Sequence, residues 1–229
     1  MNLAARNLSL DSGLPIVTLC PGCASSLSEA RHILSHDGDA CSDVSSRLKR
    51  LGLDLELPEV SHFLRLLSRQ EFMEAIGRKV SKRFEGLKVA CHYGCHLVRP
   101  SSAIDFDDPE KPTSLDRLIS LVGAQPVDYV DKYLCCGRPS LDEATSIGIA
   151  EHKLQCMKDA GADLLIVACP FCFEQFDLGQ ILIGRKRGAS FGIPVLYATQ
   201  LLGLAMGRGA DEMGLELHRV PLKEIADVD

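Results

Sequence analysis

The sequence predicts an α/β fold of two Rossmann-like modules with parallel sheets, the first of them incomplete on its N-terminal side. Three observations carry this. Short apolar runs of strand length alternate with longer stretches of helical periodicity, the pattern of parallel sheets joined by helical crossovers. Glycines stand where the helical patterns stop. A segment also repeats: residues 13–23 read GLPIVTLCPGC and residues 161–172 read GADLLIVACPFC. Aligning Cys20 with Cys169 sets Met1 opposite Ala150. On that alignment, on the order of 60 residues of a full unit have no counterpart in the first half.

The elements follow in order. Gly13 reads as a helix stop, and residues 15–19 as a short buried parallel strand. Pro21, directly after Cys20, suits the first turn of a helix. Residues 37–52 are polar and charged and read as a link. Leu57-Pro58-Glu59-Val60, leading into residues 63–67, mirrors Ile193-Pro194-Val195, leading into residues 200–204. A helix is expected over 71–84 and a strand over 87–92. Leu115, Leu118, Ile119 and Val122 have helical spacing, with Thr113 or Ser114 as cap and Gly123 as stop. A strand at 126–130 leads to the loop Cys135-Cys136-Gly137. A helix follows over 142–159, with Ile147, Ala150, Leu154 and Met157 on one face. A strand at 164–168 then meets the second Cys-Pro-x-Cys. The expected domains are 1–84, a partial first module with connecting helices, and 85–229, a complete second one.

Composition narrows the function. With 229 residues, 46% hydrophobic and 24% charged, the chain can bury a substantial core. A formal net charge of −6 without a basic stripe argues against nucleic acid as a partner. The longest apolar run is far too short to span a bilayer, and no leader pattern opens the chain, so a cytoplasmic location is expected. Ten cysteines in that setting favour metal or redox chemistry over a disulfide scaffold.

Cys95, Cys135, Cys136, Cys169 and Cys172 carry the chemistry. Five thiols from three segments exceed by one what a tetrahedral zinc or an ordinary cubane cluster uses. Each Cys-Pro-x-Cys sits where a strand hands over to a helix, whose N-terminal dipole favours thiolate and anionic groups. Buried free thiols, structural zinc and a thioredoxin-like redox pair are the competing readings. Cys20 and Cys23 form half of such a site. Cys41 and Cys156 read as isolated core or surface thiols, and Cys91 as strand packing. His92 and His96 bracket the Cys95 loop, where either could exchange a proton or simply orient the loop. Gly94 and Gly137 allow close backbone approach. Arg99, Lys132 and Arg138 could receive an anionic substrate or lie solvated on the surface, and residues 105–110 read as an acidic surface turn.

His92-Tyr93-Gly94-Cys95-His96, Phe106-Asp107-Asp108-Pro109, Cys135-Cys136-Gly137, Cys169-Pro170-Phe171-Cys172 and Gln175-Phe176-Asp177 together resemble the B-type subunits of the heterodisulfide reductase family. That family is defined by CCG modules, Cys…Cys-Cys-Gly…Cys-x-x-Cys, normally two per chain. The resemblance implies a noncubane 4Fe-4S cluster bound by Cys95, Cys135, Cys136, Cys169 and Cys172. Cys20 and Cys23 match the last two ligands of the first module, whose other three lack counterparts in this sequence. It also implies reduction of a disulfide, that of coenzyme M and coenzyme B or a related one. Electrons would come from a flavin-containing partner subunit through a ferredoxin-like one. His96, next to the first ligand, and His92 are the implied proton-handling residues. A non-catalytic electron-transfer or scaffold subunit of a redox complex is the alternative. The family's glycine-rich continuation of CCG is replaced by Arg138-Pro139-Ser140.

Overall fold

The computed structural model describes residues 1–10 and 14–222; the helix stop expected at Gly13 lies outside them. Two compact units are present. The first comprises Met1–Leu66 and Cys95–Pro109, the second Leu67–Gly94 and Glu110–Asp229. Both are α/β with parallel strands.

In the first unit, β1 (Ile16–Thr18) pairs in parallel with β2 (Val60–His62), Val17 opposite Ser61. Helix α1 (Asn2–Leu8) buries Ala5 and Leu8. Helix α2 (Pro21–His36) starts on Cys20 with Pro21 in its first turn, as the sequence requires. The supposed link over 37–52 is instead helix α3 (Gly38–Lys49). Asp37 caps it by accepting from the Asp39 and Ala40 amides, and only Val44 and Leu48 are buried. Two apolar residues one turn apart leave too narrow a stripe to stand out in a largely polar segment. The expected burial of residues 15–19 also fails, because Val17 and Leu19 are exposed. Among the described residues β1 has a single strand neighbour, so one of its edges carries no pairing.

The second unit is built on a four-stranded parallel sheet in the order β4-β3-β5-β6, comprising β3 (Lys88–His92), β4 (Gln125–Val127), β5 (Leu164–Val167) and β6 (Val195–Tyr197). Strand β5 is central and buried along its whole length, which is why it reads as an uninterrupted Leu-Leu-Ile-Val run. Helices α6 (Ser114–Leu121), α7 (Glu143–Asp159) and α8 (Pro170–Arg187) connect the strands. Asp142 caps α7 by accepting from the Thr145 amide. Helix α4 (Phe63–Leu67) follows β2, and α9 (Ala198–Ala205) follows β6. Strand β4 is shorter than expected, since the chain turns away after Val127 through Asp131, whose backbone is left-handed (φ 61°).

The contacts divide the chain elsewhere than at 84/85. Helix α5 (Gln70–Lys79) packs on α6, and it stops short of Phe84 because the amides of Ser81 and Lys82 donate to Ala205 O instead of continuing the helix. Residues 67–84 therefore belong with the second unit, while residues 95–109 fold with the first.

The repeat is visible in the backbone. Both Cys-Pro-x-Cys helices begin on a cysteine in extended conformation, Cys20 at φ −123° and ψ 123°, Cys169 at φ −126° and ψ 130°. Each follows a strand that pairs in parallel with a later one, β1 with β2 and β5 with β6.

Candidate functional site

In a parallel sheet the loops at the C-terminal strand ends are where side chains from separate segments converge. In the second unit three such loops matter: the one leaving β3 at His92, the Cys135-Cys136-Gly137 loop beyond β4, and the β5–α8 turn holding Cys169 and Cys172. A ring nitrogen of His92, Cys136 Sγ and Cys172 Sγ all lie within 4.8 Å of one another, and all three residues are buried. Cys169 joins the same buried group, and the partly buried Cys135 packs against it. Cys135 Sγ accepts a hydrogen bond from the Gly137 amide at 3.4 Å. The structure thus brings together four of the five predicted thiols, with His92 among them.

Cys95 and His96 fall in the first unit, as do Cys20 and Cys23. Cys95 and His96 lie on a single turn of 3₁₀ helix (Cys95–Leu97) against which α2, the helix carrying Cys23, packs. Cys95 Sγ is 3.5 Å from His96 Nδ1, and His96 is exposed. Cys95 directly follows Gly94 in the chain. A Cβ on Gly94 would stand 3.3 Å from Cys169 Cβ and 3.6 Å from Cys172 Sγ, and its backbone is left-handed (φ 76°). Gly137 is stricter, because a Cβ there would come within 2.9 Å of Ile149 Cβ at φ 86°. Glycine lets both loops lie close to the sulfurs.

The site's electrostatics suit anionic sulfur. Shared hydrogen bonding with Cys172 pulls the Cys136 thiol down to about 4, against the opposing effect of burial and with help from His92. The same bond holds the Cys172 proton on and raises that thiol well above its ordinary value. Cys169, also bonded to Cys172, is lowered to about 7. Burial lowers His92, so its imidazole is neutral. Among the described residues, neither of its ring nitrogens has a hydrogen-bond partner of ordinary geometry, although both are shut off from water and Cys136 is close enough to interact with the ring. A buried polar atom without a partner is costly, and sulfur ligated to a metal would supply one. Soft thiolates grouped around a neutral imidazole, with glycines clearing the approach, fit a thiophilic group of the iron–sulfur kind.

The cations expected near these loops are engaged elsewhere. Lys132 is 4% exposed and holds Asp116 Oδ1 at 2.6 Å and Asp128 Oδ1 at 3.0 Å. Arg138 pairs with Glu174 at 2.8 Å, and Arg99 donates to Pro109 O. Asp116, which sequence reasoning did not single out, also accepts from the Tyr93 hydroxyl and donates its amide to it at 3.0 Å. One carboxylate on α6 therefore ties the β3 exit loop to the approach to Cys135-Cys136. Its only sequence signal is an acid in the first turn of an amphipathic helix, and that is common.

Comparison with known proteins decides the relationship. Residues 89–177 match the cysteine-rich domain family model called CCG. The chain is 40% identical over 225 residues, 95% of its length and 75% of the relative's, to the B subunit of the ferredoxin/F(420)H(2)-dependent CoB-CoM heterodisulfide reductase of Methanosarcina acetivorans. The chain belongs to the B-subunit family of heterodisulfide reductases. A B-like heterodisulfide reductase subunit of Archaeoglobus profundus is 30% identical over 90% of this chain and 72% of its own. Another relative, the 8-methylmenaquinol:fumarate reductase membrane anchor subunit of Wolinella succinogenes, is 31% identical over 94% and 76%. In fold, a hypothetical protein from Helicobacter pylori superposes with a TM-score of 0.72 at 16% identity, covering 97% of this chain and 41% of that one. The family is one of redox subunits with cysteine-rich domains, and all five cysteines of the predicted set lie within the matched range. Among the described residues, no helix is long and apolar enough to cross a membrane.

Proposed function

We propose that this chain is an iron–sulfur oxidoreductase subunit that reduces a disulfide, coenzyme M–coenzyme B or a related one, at a noncubane 4Fe-4S cluster. The observation that carries the reading is the buried meeting of His92, Cys136 and Cys172 within 4.8 Å, with Cys169 and Cys135 packed around them. Cys135, Cys136, Cys169 and Cys172 would hold the cluster, with Cys95, the residue after the closely packed Gly94, as fifth ligand. The cluster's contribution is one-electron chemistry at sulfur. The chain's own residues do the rest. The peptide amides at the start of α8 and the Gly137 amide offset thiolate charge. Neutral, buried His92 orients sulfur, whereas exposed His96, beside Cys95 Sγ, is the residue able to exchange a proton with water. Cys20 and Cys23 are the counterpart pair of a first module. Electrons would arrive from a flavin-containing partner through a ferredoxin-like one, in keeping with the ferredoxin that the names of the Methanosarcina relatives give for those enzymes.

A second reading has its own support. The Wolinella relative is named as a subunit of a fumarate reductase, so a member of this lineage serves a complex whose named reaction is not disulfide reduction. On that reading the cluster only relays electrons. Anaerobic reconstitution tests the shared premise: about four irons per chain, lost in Cys135→Ser and Cys136→Ser, are expected, and one zinc per chain would refute it. Turnover of a disulfide with a reduced flavoprotein donor then separates reductase from relay.

A further inference from the structure

Lys153 is the largest fully buried side chain among the described residues, 1% exposed in the middle of α7. Lysine is almost never buried to this extent without a paired anion. Here the ammonium donates to a neutral group, the Asp131 carbonyl, and lies 5.7 Å from the centroid of the Tyr129 ring. The Asp131 carboxylate is bonded at 2.9 Å by His152, the exposed neighbour of Lys153 on α7. Among the described residues, the cation therefore has a carbonyl and an aromatic face as its direct partners, with the His152-bonded Asp131 carboxylate within Coulombic reach but not hydrogen-bonded to it.

Its surroundings point toward the cysteines. Tyr129, the ring nearest the ammonium, packs in one buried group with Cys136, Cys169 and Cys172. Ile149, one helical turn before Lys153 and on the same face of α7, is the residue against which Gly137 is pressed. Burial pulls the ammonium's pKa down, and Asp131 first, then Cys136, Cys156 and Cys172, lie within Coulombic reach and favour its charged form. In a low-dielectric interior, a cation at that range favours each added negative charge on the sulfur site.

We propose that Lys153 is the electrostatic counter-charge of the cysteine site, a positioning residue that raises the reduction potential of the bound cluster. The inference rests on the iron–sulfur reading above and names the residue that tunes it. Reduction adds one electron, supplied in the test by a mediated titrant, and the positive charge of the ammonium favours the more negative state.

The test compares the full-length wild type with Lys153→Met, Lys153→Gln and Lys153→Arg after anaerobic reconstitution. Iron content and circular dichroism are measured first, then EPR-monitored redox titrations. All four proteins should load iron equally. At a fixed solution potential, Met and Gln should raise the oxidised-to-reduced ratio about tenfold, a midpoint roughly 59 mV lower for a one-electron couple. Arg, which keeps the charge, should stay near wild type. Iron-loaded Met and Gln variants with an unchanged midpoint would overturn the proposal and leave the cluster reading intact. An Arg variant shifted as far as Met would assign the effect to shape and also overturn it. Loss of native circular dichroism in both neutral variants would make Lys153 a folding residue and overturn it as well. A wild type that takes up no cluster would instead refute the proposed function, and this inference with it.

Discussion

Asp116→Asn removes the charge that holds two loops together. Among the described residues, Lys132 would keep Asp128 as its one carboxylate, with a side chain 87% exposed, in place of a carboxylate 21% exposed at 2.6 Å. Asparagine retains one acceptor oxygen for two donors, the Tyr93 hydroxyl and the Lys132 ammonium. Breaking a buried ion pair from one side typically costs about 3–5 kcal/mol; with Asp116 part-exposed and Asp128 still present, about 2–3 kcal/mol is expected here. In urea that corresponds to a midpoint shift on the order of 1 M. The pH dependence has a definite sign. Burial pushes the Lys132 ammonium down, but Asp116 and Asp128 outweigh it, and its pKa is raised. A lysine raised on folding contributes its full stability below its unfolded pKa, about 10.4. The gap between wild type and variant should therefore be constant from about pH 7 to 9 on that scale, and close as pH rises from the unfolded value through the folded one. The double variant Asp116→Leu, Lys132→Met should recover the part of the loss that comes from the unpaired ammonium, while the buried Tyr93 hydroxyl still lacks its acceptor. A single-variant loss below about 0.5 kcal/mol, the size of an exposed pair, would refute the argument.

Gly137→Ala should destabilise the chain by about 1–2 kcal/mol through its left-handed backbone alone. Ile149→Ala would remove only the 3.1 Å Cγ2 contact and leave the 2.9 Å Cβ and 3.1 Å Ser146 carbonyl contacts, so the double variant should recover little of that loss, which thermal melts of the single and double variants would show. Phe176→Ala removes a fully buried ring set edge-on to His92 at 5.1 Å between centroids and should cost about 3–5 kcal/mol by denaturant unfolding. Cys156→Ser, at a thiol 3.6 Å from the exposed His152 ring, should leave iron and sulfide content at the wild-type level, whereas Cys172→Ser should abolish it.

What could be read in advance was periodic or clustered. The strands at 87–92 and 164–168, the helix at 142–159 and the two Cys-Pro-x-Cys turns were legible because burial on both faces writes continuous apolar runs, and because Pro21 and Pro170 mark first turns. Helix α3 was hidden, since Val44 and Leu48 are its only buried residues and its cap is an ordinary aspartate. The end of α5 was hidden for another reason: its stop is set by Ala205, far along the chain. At the site, cysteine spacing singled out the four thiols of the second unit. It carried no sign that Lys132 turns inward to Asp116 or that Lys153 is buried, because a lysine in an amphipathic context reads as solvated. Long-range electrostatic partners leave no local pattern.

Diffraction at the iron absorption edge from anaerobically reconstituted crystals tests the central claim most directly. The account predicts a cluster of anomalous iron peaks beside Cys136 Sγ and Cys172 Sγ, with Cys135, Cys169 and Cys95 bonded to the same group. Anomalous density for a lone zinc there, or iron located away from these sulfurs, would contradict it.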